Sequence, residues 1–231
     1  MKGYYSWNWG SGSTGPSGTS SSDDVIGVAF TGLVSVQDAI KGYDAGATWC
    51  CPELRGSRFL SLGGGNAAGS FTASALTKIK SSMGAIKAAN YSGIILDVEE
   101  ATGSAKELVP AFAAVLAAAK GEGLRTAVTT SHSAPYQCDS ANDAVALVKA
   151  WVADPNLDIL SPQLYSSGQE GSPQFDTTAS CSPACSWSLY KGFKGIFAPS
   201  IVEPSHYPAT KAFFAATNVD TGGFFEWKQE A

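Results

Sequence analysis

The sequence contains few charged residues and no long hydrophobic run. Only 15% of the 231 residues are charged. The purely apolar runs, such as Ile94-Ile95-Leu96, fall far short of the ~18 residues that a membrane span requires, so neither a transmembrane segment nor a membrane partner is expected. No block of five or more like charges occurs, and the formal net charge is −5. An acidic chain without basic blocks is not expected to bind nucleic acid.

Metal-ligating and phosphate-binding patterns are also scarce. The two histidines, His132 and His206, are isolated in Ser/Pro-containing loops, which is typical of surface residues. The run Gly63-Gly64-Gly65 lacks the Lys-Ser/Thr of a P-loop. We interpret it as backbone that permits a close approach at a binding site. The sequence therefore predicts neither a metal ion nor an organic cofactor.

Five cysteines are an odd number, and all lie outside the predicted helices and strands: Cys50, Cys51, Cys138, Cys181 and Cys185. This placement favours disulfides and one remaining thiol, with Cys181–Cys185 as a plausible local bridge. A zinc site is the alternative, but the C-x2-C and H-x3-H spacings are missing. The cysteines in loops lead us to expect a secreted, extracellular protein. Met1 leads directly into an aromatic strand without a signal peptide, so its leader would have been removed. A cytosolic protein is the other option.

Short β-type runs alternate with helical stretches, and the 44% of hydrophobic residues are enough for one large core. Alternation of this kind is typical of parallel strands joined by crossover helices. Eight strands are predicted, at about 3–9, 23–30, 57–63, 92–99, 124–130, 157–165, 193–200 and 221–227. The pattern predicts an α/β fold, a single (β/α)8 TIM barrel over residues 1–231.

Helices are predicted at 72–89, 104–120, 141–153 and 208–216. The first repeats apolar residues at three- and four-residue steps, and the second begins with a capping-box pair, Ser104 and Glu107. Segments 10–22 and 166–191 are rich in Gly and Ser, so the first and sixth crossovers are expected to be irregular. Crossovers without ordinary helices fit a chain somewhat shorter than the ~250 residues typical of the fold.

The fourth predicted strand ends in carboxylates. The two-residue period of a strand places Ile95, Asp97 and Glu99 on one face, and in a barrel of this type functional residues lie at the carboxyl ends of strands. Two neighbouring carboxylates raise one pKa toward neutrality, as a general acid requires. The alternative is an ordinary solvated acidic turn at a strand end.

Other predicted strand ends carry polar and aromatic residues. Gln163 and Tyr165 share a face at the end of strand six and can hydrogen-bond a substrate amide or hydroxyl. Trp227 closes the last strand, and Trp7 and Trp9 lie at the end of the first, where flat rings suit a sugar. Core packing is the alternative role for each ring.

These residues resemble glycoside hydrolase family 18, which comprises chitinases, endo-β-N-acetylglucosaminidases and inactive lectin-like relatives. The similar segments run from strand one to strand eight: Gly3-Tyr4-Tyr5-Ser6-Trp7, Ile26-Gly27-Val28-Ala29-Phe30, Leu60-Ser61-Leu62-Gly63-Gly64, Gln163-x-Tyr165 and Gly222-Gly223-Phe224-Phe225-Glu226-Trp227. By this resemblance, Tyr5, Trp7, Gln163 and Trp227 are expected to bind substrate.

The family's central motif, D-x-x-D-x-D-x-E, is only half matched. The last Asp and the Glu correspond to Asp97 and Glu99, while Ser92 and Ile95 stand where the first two Asp residues would be. The resemblance implies that Glu99 is the acid/base, that Asp97 orients the substrate N-acetyl group, and that Tyr165 hydrogen-bonds the acetamide. The acetamide oxygen itself then attacks the anomeric carbon.

The expected function is retaining, substrate-assisted hydrolysis of β-linked glycans that contain N-acetylglucosamine, by a monomer whose partner is such an oligosaccharide or polysaccharide. Loss of half the acidic motif keeps a second class open, a weakly active or inactive glycan-binding protein on the same barrel. A third option is a muramidase of another barrel family, since an Asp-x-Glu strand end would suit it too. The Leu60–Gly64 segment and the terminal tryptophan speak against that option.

Overall fold

A computed structural model describes residues 1–9, 15–16, 19–20, 23–47 and 53–228. Nine parallel strands form the barrel: β1 (Lys2–Trp7), β2 (Val25–Phe30), β3 (Ser57–Gly63), β4 (Gly93–Val98), β5 (Arg125–Ser131), β6 (Ile159–Gln163), β7 (Ile196–Phe197), β8 (Ser200–Ile201) and β9 (Phe224–Glu226).

The strands close into a barrel of eight positions. Each strand from β1 to β6 pairs in parallel with the next, and β9 pairs back onto β1. The seventh position is shared by β7 and β8, two short pieces that both pair with β6. The β8 piece also pairs with β9, which completes the ring. The predicted (β/α)8 barrel is confirmed.

Helices cover the outside of the barrel: α1 (Val36–Ala47), α2 (Ala73–Ser81), α3 (Met83–Ala88), α4 (Ala105–Gly121), α5 (Ala141–Ala153) and α6 (Tyr207–Ala216). The sixth crossover is irregular as predicted, with only two short 3-10 helices, Ala179–Cys181 and Trp187–Tyr190. In segment 10–22, the predicted first crossover, residues 15–16 and 19–20 are described and are not helical. The other residues of that segment lie outside the described residues.

The helices differ from the prediction in two places. The stretch predicted as one helix over 72–89 is two helices, because the hydroxyls of Ser81 and Ser82 both donate to the Lys78 carbonyl, at 2.9 and 2.8 Å, and the helix ends there. Helix α1 was not predicted at all. It buries Val36, Ala39 and Tyr43 at helical spacing.

The barrel wall separates two apolar clusters. The larger cluster lies between the strands and the helices. The smaller one fills the barrel interior and contains Tyr5, Ile26, Val28, Phe30, Phe59, Ile95, Ala127, Ile159, Ala198 and Phe225. Most of these interior side chains lie below the carboxyl end of the barrel, so the polar groups there rest on a packed apolar base.

A disulfide joins Cys181 and Cys185 in the sixth crossover, as predicted. Cys138 is a free, half-buried thiol, and Cys50 and Cys51 lie outside the described residues. In the part of the chain that the structure describes, no helix is long and apolar enough to cross a membrane.

Candidate active site

Strand β4 brings two carboxyl groups to the mouth of the barrel, which is its carboxyl end. Asp97 pairs in register with Gly63 on one side and Thr129 on the other, and its side chain is only 1% exposed. Glu99 follows the last residue of β4 and is partly exposed. Both point inward on the face of Ile95, as strand alternation requires.

One amide group joins the two carboxylates. The Nε2 of Gln163, on β6, donates to Oδ1 of Asp97 at 3.4 Å and to Oε1 of Glu99 at 3.2 Å. Both amide hydrogens are therefore used inside the site, and only the amide oxygen is left to accept a hydrogen bond from a ligand. Gln163 was expected to contact substrate, but its amide nitrogen is committed to the two acids.

Glu99 is held from two further directions. The hydroxyl of Ser131, at the end of β5, donates to Oε2 at 3.1 Å. The glycine run approaches from β3, and a Cβ on Gly65 would lie 2.8 Å from the same oxygen. The close backbone approach anticipated from Gly63-Gly64-Gly65 thus occurs at the carboxyl group of Glu99.

The two acids bind protons more tightly than free carboxyl groups. Burial raises the pKa of Asp97 well above its ordinary value, and the neighbouring charge of Glu99 raises it further. Burial also raises the pKa of Glu99, against the lowering effect of hydrogen bonds from Gln163, Ser131 and Gly65. Like-charged groups in a dry site cannot ionise together without cost. The pair therefore holds a proton to higher pH than two free carboxyl groups would.

Ile95 explains why Asp97 is sparsely hydrogen-bonded. Its side chain is fully buried in the apolar cluster inside the barrel, so it offers Asp97 no donor. Oδ2 of Asp97 has no hydrogen-bond partner among the described residues. Gln163 thus provides the hydrogen bond that holds Asp97, from a strand two positions away.

Trp227 lies at the centre of an aromatic cluster on the opposite side of the mouth. Its ring stacks on Tyr165, with centroids 5.6 Å apart and planes at 26°. It also meets Trp7 at 4.7 Å, Tyr5 at 5.2 Å and Phe30 at 5.3 Å. The indole is partly exposed, so it combines a packing role with an accessible surface.

The other predicted site residues lie at different depths. Tyr5 is 1% exposed and lies inside the barrel beneath this cluster, where it supports Trp227 rather than facing the opening. Trp7 is partly exposed. Burial raises the pKa of Tyr165, and the charges of Tyr5, Asp97 and Glu99 raise it further. Its phenol therefore stays neutral and can donate a hydrogen bond.

A hollow of about 240 Å³ opens beside Glu99. Its lining includes Ser131, Gln163 and Tyr165 and two residues that the sequence did not single out for the site, His132 and Tyr136. His132 Nε2 lies 3.3 Å from the Gln174 amide oxygen, and the Tyr136 hydroxyl donates a short hydrogen bond to Glu100. Both residues come from the loop after β5, whose irregular course leaves no periodic signal.

Compared with models of known protein families and with curated proteins, the chain matches none of them. The candidate site is therefore interpreted from its own geometry.

Proposed function

We propose that this protein is a retaining glycoside hydrolase that cleaves β-linked glycans containing N-acetylglucosamine. The observation that carries the proposal is the pair Asp97 and Glu99, bridged by the Gln163 amide, with raised pKa values at the mouth of a (β/α)8 barrel. A partly exposed tryptophan lies in the same opening. The resemblance to glycoside hydrolase family 18 assigns a role to each of these groups.

In this mechanism, the protonated Glu99 donates its proton to the glycosidic oxygen as the bond to the leaving sugar breaks. The acetamide oxygen of the substrate attacks the anomeric carbon from the other face and forms a cyclic oxazolinium ion. Asp97 accepts a hydrogen bond from the acetamide N–H, and the neutral Tyr165 hydroxyl donates one to the acetamide oxygen. Glu99 then removes a proton from the water that opens the ring, so the configuration is retained.

The decisive test is turnover of a chromogenic N-acetylglucosamine oligomer by the purified protein across pH 4–9. We expect release of the chromophore, with activity falling at high pH as Glu99 loses its proton. The second candidate, a glycan-binding protein without turnover, is favoured by Ile95 and by the unpartnered Oδ2 of Asp97. Binding of the oligomer without turnover at any pH would establish that candidate instead.

We also propose that the protein is secreted. The Cys181–Cys185 bond supports it, because disulfides persist in oxidising compartments.

Gln163→Met is predicted to disturb catalysis without changing the shape of the barrel. Methionine has nearly the same length but no N–H, so both carboxyl groups lose a donor that favours their charged forms. The pKa of Glu99 should rise, and the alkaline limb of the pH–rate profile should move to higher pH while kcat falls. A lower kcat with an unmoved alkaline limb would mean that Gln163 does not act through Glu99.

A further inference from the structure

The turn between α3 and β4 contains the tripeptide Asn90-Tyr91-Ser92. It fits the pattern Asn-x-Ser/Thr, in which x is any residue except proline. In secreted proteins, the asparagine of this pattern can carry an oligosaccharide on its side-chain nitrogen. The other asparagines of the chain have no hydroxyl residue two positions later: Asn8, Asn66, Asn142, Asn156 and Asn218. Asn90 is therefore the one asparagine in the sequence that fits the pattern.

Asn90 is exposed in a turn with a defined backbone. It lies in the left-handed region, with φ +64°. Its N–H donates to the Lys87 carbonyl at 2.9 Å, and the N–H of Tyr91 donates to the Ile86 carbonyl at 3.3 Å. These two bonds close the helix in a Schellman motif. Among the described residues, none forms a hydrogen bond with the side-chain amide of Asn90, so the turn does not depend on that amide.

A second asparagine separates the role of the turn from the role of the tripeptide. Asn218 follows α6, is exposed, and has φ +57°. The same two backbone hydrogen bonds close its helix, at 3.1 and 3.0 Å. Asparagine tolerates this helix-end position better than most residues, which explains both asparagines equally well. It does not explain the hydroxyl of Ser92, because Asp220 stands at the corresponding position after Asn218.

The tripeptide lies at the amino end of the barrel, on the face opposite the mouth. Asn90 precedes β4, whereas Glu99 follows its last residue. At ~3.3 Å per strand residue, the six residues of β4 put roughly 20 Å between the two positions. Ser92 is exposed and lines an open hollow of about 640 Å³ on this face. An oligosaccharide on Asn90 therefore has space beside it and leaves the mouth open.

We propose that Asn90 is an N-glycosylation site. The inference rests on the proposed secreted location and is independent of the proposed hydrolysis. The donor is an oligosaccharide linked to a lipid through a pyrophosphate. The Nδ2 of Asn90 forms a bond to the anomeric carbon of the first sugar and loses a proton, while the bond from that carbon to the pyrophosphate oxygen breaks. The pyrophosphate leaves with the electron pair, so the transfer needs no oxidant or reductant.

Synthesis of the full chain in a eukaryotic secretory pathway, behind a cleavable signal peptide, tests the inference. We expect one glycan, seen as a larger mass that a glycan-removing amidase abolishes while it converts Asn90 to aspartate. Asn90→Gln and Ser92→Ala should lack the larger mass, and Ser92→Thr should keep it. The peptide with residue 90 is analysed in the cell extract and in the medium, because the transfer precedes secretion and does not require a stable fold.

Asn218 is the internal control. It should stay unmodified in the unsubstituted protein, and Asp220→Ser, which completes the pattern at the same type of turn, should add a second glycan. An unmodified Asn90 beside a modified Asn218 in Asp220→Ser would overturn the inference, as would a larger mass that persists in Asn90→Gln. A single N-acetylglucosamine on Asn90, left after trimming, would support it. No substrate is used, so none of these results bears on the proposed hydrolysis.

Discussion

Replacing Glu99 with glutamine is expected to lower kcat by about 10²–10⁴-fold, the usual cost of losing a general acid, while affinity for oligosaccharides stays nearly the same. Glutamine has the shape of glutamate, and its amide oxygen can still accept from Gln163 Nε2. Its amide nitrogen can donate to the Ser131 hydroxyl, which now donates to Oε2 of Glu99. The hydrogen bonds are thus preserved and only the transferable proton is removed.

The measurement is steady-state hydrolysis of a chromogenic oligomer, together with direct titration of oligomer binding. Glu122→Gln is the matched control, because Glu122 lies at the end of α4, where its carboxylate is exposed and lies 3.9 Å from Lys87 Nζ. That variant should keep full turnover. If Glu99→Gln also kept it, Glu99 would not be the acid.

The strand pattern predicted the positions of the two acids because alternation in β4 is a local property. A side chain at every second residue must face the same way, so Asp97 and Glu99 could be placed in the mouth without knowing any other strand. The eight strands of the barrel were predicted from another local pattern, the short β-type runs that alternate with helical stretches. Helix α1 has a usable signal too, the buried Val36, Ala39 and Tyr43, but its two glycines obscured the pattern.

The contacts that tune the acids could not be predicted in this way. Gln163 reaches Asp97 and Glu99 across β5, so its bridge depends on the closure of the barrel and on a side-chain rotamer, neither of which a sequence period encodes. The same holds for Tyr136, which lies in a loop. The depth of the aromatic residues could not be predicted either. Tyr5 and Trp7 share one face of β1, yet only Trp7 of the two reaches the opening.

Asp97→Asn is expected to stabilise the protein at neutral and alkaline pH while removing activity. The pKa of Asp97 is raised in the folded state, chiefly by burial and then by the charge of Glu99, whereas the unfolded chain has an ordinary value near 3.9. As the pH rises from about 4, the unfolded chain releases this proton before the folded one does. The free energy of unfolding therefore falls with rising pH until the pH exceeds the pKa that Asp97 has in the folded state.

An asparagine carries no such penalty, and its amide oxygen can still accept from Gln163. We expect the Tm of Asp97→Asn to exceed that of the unsubstituted protein by a few degrees at pH 8, in line with the ~0.5–2 kcal/mol that a single stabilising substitution commonly gives. The difference should shrink steadily as the pH falls and be smallest near pH 4 and below, where the aspartate is protonated in both states.

Thermal unfolding at intervals from pH 3 to 9 measures this dependence without any substrate, so its outcome does not depend on the proposed reaction. Asp220→Asn is the matched control, since Asp220 is exposed on the surface before β9, and its Tm should follow that of the unsubstituted protein at every pH. A Tm difference for Asp97→Asn that is the same at pH 4 and pH 8 would show that Asp97 is ionised at no cost in the folded barrel. Asp97 would then have a partner for its charge, and the description of Asp97 and Glu99 as a pair that cannot ionise together without cost would be wrong.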